Sequence, residues 1–212
     1  MEYGEKTLKK RERALHITAL VGGIVLMLLF VRSIMGSFAL PKAYNIISSL
    51  MPLVLLPFII LFGAVYGPGL KRQPRGFIAF FIAGLLLRSA AMLTGELMSD
   101  DIYYRQVPDA LLPLGRWLMA PCFLYMAWAL KRRRPAFALF CLLSAAWLIL
   151  YHSPFYDLVP LLVRNAPALN QNYYIWGVPP KLELLLFGLA LMSLGLGGLL
   201  SDGAVKKPEY EQ

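Results

Sequence analysis

Apolar positions in this chain fall into runs of about twenty residues, separated by short polar segments. The runs cover roughly 14–36, 44–66, 76–98, 110–130, 135–151 and 182–200. A run of about 20 apolar residues matches about 30 Å of hydrocarbon at 1.5 Å rise per residue, so each reads as a membrane-crossing helix. Strands of a membrane barrel would alternate apolar and polar residues over about 10 positions, and these runs do not alternate. The pattern predicts an all-α, polytopic membrane helix bundle of about six spans, forming one transmembrane domain over 1–212. A long connection, 152–181, is expected on the outer side, as an interfacial cap or a lid over a cavity. Its Tyr173, Tyr174 and Trp176 suit the membrane interface.

Composition agrees with the pattern. Hydrophobic residues make up 58% of the chain and charged residues only 16%, against about 25% charged in soluble domains. The net charge of +9 raises the question of a nucleic-acid partner, but its placement answers it. Fourteen cations (Lys6, Lys9, Lys10, Arg11, Arg13, Lys71, Arg72, Arg75, Lys131, Arg132, Arg133, Arg134, Lys206 and Lys207) fall on one side if the chain threads six times. Four (Lys42, Arg105, Arg164 and Lys181) fall on the other. This asymmetry predicts cytoplasmic N- and C-termini in a plasma membrane, with the basic ends near anionic lipid headgroups. The overall character is bacterial, and no nucleic-acid partner is expected. The first span reads as a retained anchor, because Arg32 interrupts its end and five more spans follow.

Against that background "GLLLRSAAM" (84–92) stands out, because it sets Arg88 in a run with no other charge within seven residues on either side. Arg88 falls near the middle of the third span, where an arginine costs at least about 2.5–3.5 kcal/mol, so it should face protein. Gly84, Ala91 and Gly95 share its helical face, a face small enough to pack against a neighbour. Arg116 sits about 9 Å inside the fourth span, and Arg32 lies near the end of the first; either could snorkel to water. The in-span acids are Glu96 and Glu183. All these charges sit at mid-depth or toward the outer side, which predicts a polar site walled by spans three, four and six and opening outward. Two readings remain open. One is an internal salt bridge from Arg88 to Glu96 or Glu183. The other is a binding site in which Arg88 and Arg116 hold an anion while Glu96 and Glu183 orient them or carry a proton. Guanidinium donors pair two at a time with carboxylate or phosphate.

Other features change the picture less. Pro52, Pro57 and Pro121 fall within spans and would kink or break their helices. Asn45, Ser48 and Ser49 are available to satisfy freed backbone groups in the second span. Ala190, Ser193, Gly197 and Ser201 line one face of the sixth span, a candidate surface for helix packing or a protein partner. Cys122 and Cys141 are expected as buried free thiols at similar depth. His16 and His152 fall at opposite membrane faces and cannot share a metal or haem, so no metal and no cofactor are expected. Zinc-protease and serine-hydrolase signatures are absent, so the chain leans away from an enzyme. The expected function is a transporter or transporter subunit binding an anionic small solute or lipid headgroup. The alternative is a non-catalytic accessory or sensor-type membrane subunit.

Overall fold

The structure is a computed structural model that describes residues 2–35, 51–66, 75–97, 106–150 and 178–204. These residues form six helices: α1 (Glu2–Met35), α2 (Met51–Tyr66), α3 (Arg75–Leu97), α4 (Gln106–Leu130), α5 (Pro135–Leu150) and α6 (Val178–Ala204). No strand occurs among the described residues. Residues 44–50 of the second expected span, with Asn45, Ser48 and Ser49, lie outside the described residues. So do 151–177, which hold His152 and most of the expected loop.

Three helical stretches are long and apolar enough to cross a membrane: Thr7–Ile34, Arg75–Thr94 and Leu182–Ser201. Met51–Tyr66 and Pro135–Leu150 are shorter apolar helices. Around an apolar core, burial departs from that of a water-soluble protein in two respects. Leu28, Leu53, Leu124, Trp128, Leu142 and Leu200 are exposed, while His16, Arg88, Arg116 and Glu183 are buried. Large apolar side chains outside and charged groups inside suit hydrocarbon as the surrounding solvent.

Helix ends differ from the expected spans in instructive ways. The N-terminal tail does not precede the first helix; it belongs to it, because Glu, Lys and Arg are good helix formers. At the other end of the chain, α6 begins at Val178 and so takes in the last residues of the expected loop. Pro57, Pro113 and Pro121 lie inside continuous helices, so neither α2 nor α4 is broken there.

Each helix packs on its neighbours in the chain, and α6 returns to α1, so the six close into a ring. Two of the contacts are backbone-close. Between α1 and α6, a methyl group added to Gly195 would lie 2.6 Å from the Leu20 amide nitrogen, and one on Gly23 would lie 2.7 Å from that of Met192. One turn along, the His16 ring occupies the space a side chain at Gly198 would need. Between α3 and α4, a methyl on Gly84 would fall on the Gly115 carbonyl oxygen, and one on Gly115 would lie 2.7 Å from the Arg88 amide nitrogen. Glycine permits such approaches because nothing projects from its Cα. The stripe Ala190–Ser193–Gly197–Ser201 is used differently from the sequence reading. Ala190 is buried, and Arg134 donates to the Gly197 carbonyl at 2.5 Å and the Ser201 hydroxyl at 2.8 Å. The closest approaches to α1 come from Gly188, Gly195 and Gly198 instead.

Candidate functional site

The Gly84–Gly115 crossing fixes the position of the neighbouring residues on both helices. Arg88 stands one turn after Gly84 on α3, and Arg116 directly succeeds Gly115 on α4. Two arginines are thereby brought side by side from different helices. Opposite them, on α6, stands Glu183.

The three side chains form one cluster. Arg88 donates from Nε to Glu183 Oε2 at 2.9 Å and from Nη2 to the same oxygen at 2.6 Å. Arg116 donates from Nε to the other carboxylate oxygen, Oε1. Each carboxylate oxygen is therefore held by a different helix. The cluster is shut off from solvent: Arg88 and Glu183 are 0% exposed and Arg116 is 1% exposed. An isolated charge in such a place would be prohibitively costly, and charge-assisted hydrogen bonds of good geometry are what make it tolerable.

The sequence-predicted residues are thus sorted. Arg88, Arg116 and Glu183 come together, with Glu183 serving as the acid that faces Arg88. Arg116 turns inward onto Glu183, where snorkelling to the membrane surface was one expectation. Arg32 lies exposed in the last turn of α1. Glu96 lies in the last turn of α3, with its side chain outside the described residues. The expected walls, spans three, four and six, are the helices that supply the three charges, but no part of the cluster is open to water among the described residues.

Beside the cluster lies an aromatic row. Phe81 meets Phe123 edge-on at 5.5 Å, and Phe123 stacks on Phe187 at 4.8 Å. Phe81 precedes Arg88 on α3, Phe123 comes after Arg116 on α4, and Phe187 comes after Glu183 on α6. Because α3 runs opposite to α4 and α6, all three rings lie on one side of the ions, toward the α4–α5 turn. The row therefore separates the cluster from the basic end of the bundle. These rings are all buried.

Two contributors, and the residue next to Arg88 in the chain, were not singled out in the sequence. Ser89 is buried, and its hydroxyl has no hydrogen-bond partner among the described residues. Gly115 gives no signal of its own until its proximity to Gly84 is known. The aromatic row reads in sequence as ordinary apolar filling. Elsewhere, Cys122 and Cys141 are buried free thiols, as expected. No group of three or more His, Cys, Asp or Glu side chains that could hold a metal occurs among the described residues. His16, on α1, is fully buried against Gly198 of α6.

Comparison with family models, with curated proteins and with solved structures finds no match for the chain. The functional reading therefore rests on the geometry.

Proposed function

We propose that this chain is a multi-pass plasma-membrane protein, bacterial in character, with six spans and cytoplasmic termini. In this reading it is a transporter or transporter subunit that binds an anionic small solute or lipid headgroup. The supporting observation is the convergence of two guanidinium groups, from two helices, on one buried carboxylate. The cradle already has the donors a carboxylate or phosphate needs, and Glu183 fills it as a tethered resident anion. An incoming anion takes the arginines when Glu183 swings away or takes up a proton. In this reading Glu96, toward the outer end of α3, helps orient the arginines or carries a proton.

The test starts with the full chain in lipid nanodiscs, screened for thermal stabilisation by carboxylates and phosphates. Uptake of any stabilising anion by liposomes is then measured. The expected result is a stabilising anion whose effect is lost in Arg88→Lys and Arg116→Lys, because lysine keeps the charge and loses the planar fork. If no anion shifts the unfolding of the wild type, the reading fails.

A second reading has its own observation, the complete burial of the cluster. Here the three charges lock α3, α4 and α6 in register within a non-catalytic accessory or sensor-type subunit. A triple replacement, Arg88→Met with Arg116→Met and Glu183→Leu, separates the two. Buried ion clusters can often be exchanged for apolar side chains without loss of stability. A folded triple variant that still supports the cell's phenotype favours the lock, and a folded variant that has lost anion binding favours the cradle.

A further inference from the structure

The turn between α4 and α5 reads "ALKRRRPA", with four consecutive cations, and the structure divides them into two uses. Arg134 points inward and binds the Gly197 carbonyl and the Ser201 hydroxyl of α6. The other three, Lys131, Arg132 and Arg133, are exposed. The turn is tight: Arg133 and Arg134 both donate their amides to the Leu130 carbonyl, at 3.0 and 2.7 Å. It is also tied down, because its last residue is fastened to another helix. The three exposed cations are therefore presented from a fixed platform.

What adjoins them is apolar. Trp128, one turn earlier on α4, is 56% exposed, and Leu139 and Leu142 on α5 face outward as well. Pro135 opens α5 at this turn, so the positive end of that helix's dipole is directed to the same place. The cations thus border a lipid-facing apolar surface with an indole at the boundary, where tryptophan favours the headgroup region.

We propose that the α4–α5 turn is a binding site for anionic phospholipid. Lys131, Arg132 and Arg133 hold the headgroup phosphate, and Trp128 with Leu139 and Leu142 lies along the acyl chains. An acidic protein or a nucleic acid would leave the adjoining apolar surface unused; a phospholipid matches both parts. Cations at the same end on α1 (Lys9, Lys10, Arg11 and Arg13) and Arg75 on α3, all exposed, add to the field that draws anionic lipid there. This inference does not depend on the anion cradle.

The experiment uses the full chain, purified in mild detergent and placed in nanodiscs of phosphatidylcholine alone or mixed with phosphatidylglycerol. Retained lipid is read by native mass spectrometry, and the unfolding midpoint is read in both lipids. Wild type is expected to retain phosphatidylglycerol preferentially and to unfold at higher temperature when it is present. The combined variant Lys131→Gln, Arg132→Gln, Arg133→Gln keeps Arg134 and is expected to lose that preference by about tenfold or more. Its midpoint in phosphatidylcholine should match the wild type. Retention unchanged in the variant, or no preference in the wild type, overturns the proposal, as does preferential recovery of nucleic acid or an acidic protein. Where the variant does not accumulate, a salt titration of the wild type decides. Loss of the preference on going from low to about 0.5 M salt supports the proposal, because exposed charges are screened over a few ångströms there; a preference insensitive to salt overturns it.

Discussion

Glu183 holds the key position among single residues, because both arginines pair with it. Glu183→Ala removes the carboxylate with which both buried guanidinium groups pair. Breaking one partner of a buried ion pair typically costs about 3–5 kcal/mol, so little folded protein should be recovered, as judged by size exclusion and thermal unfolding in detergent. Arg88→Ala should be milder, because Arg116 still pairs with the Glu183 carboxylate, and its unfolding midpoint should fall between those of wild type and Glu183→Ala. Which acid pairs with Arg88 was not legible in the sequence. Glu96 and Glu183 were both plausible, since a pairing across 95 positions has no local signature. The choice for Arg116 between snorkelling and the interior was open for the same reason. Distance along a helix to its end makes snorkelling feasible, but a carboxylate in reach inside the bundle is the better partner for a guanidinium. His16 shows the limit from another side, since its burial depends on the notch at Gly198, a residue on the far end of the chain.

Among the helices, the two glycine contacts decide how the elements meet. Gly115→Ala would press its methyl against backbone atoms of α3 that cannot rotate away, and in doing so would move Arg88. A loss of about 1–3 kcal/mol is expected, the range typical of overpacking, read as a lowered unfolding midpoint. Gly76→Ala, on α3, is the contrasting case, because its added methyl meets nothing within 4 Å; its stability should stay within about 1 kcal/mol of wild type. Arg134→Gln removes a cation that binds near the C-terminal end of α6. It should lower the midpoint in any lipid, which distinguishes it from its three exposed neighbours. Helix existence was well legible, because runs of apolar residues bear directly on lipid. Helix ends were less so. The charged tail before residue 14 lacks the apolar mark of a span, yet its residues continue α1 without a break.

For the whole molecule, the ring closed by α1 and α6 brings the N-terminal end of α1, the α4–α5 turn and the C-terminal end of α6 to one end. His16 rests on Gly198, and Arg134 on Gly197 and Ser201. The charge asymmetry of the sequence predicts that this end is cytoplasmic. Single cysteines placed at the two ends of a variant lacking Cys122 and Cys141 test this. Those at the basic end should resist a membrane-impermeant thiol reagent in intact cells, and those in the 152–177 segment should react. Labelling in the opposite sense would contradict the proposed threading. The ring itself could not be read from the sequence, because the small residues that close it (Gly23, Gly188, Gly195) also occur where helices merely touch.

Phe81, Phe123 and Phe187 also give the bundle an electrical character. Three buried rings in mutual contact offer no path for hydrated ions, so the bundle should behave as an insulator, with no steady current in a planar bilayer. Because the Arg88–Arg116–Glu183 cluster is itself shut off from solvent, the voltage across the membrane falls over the cluster as well as the rings. One elementary charge moved across about 100 mV exchanges about 2.3 kcal/mol. Any rearrangement that carried one of these buried charges along the membrane normal would therefore be voltage-sensitive.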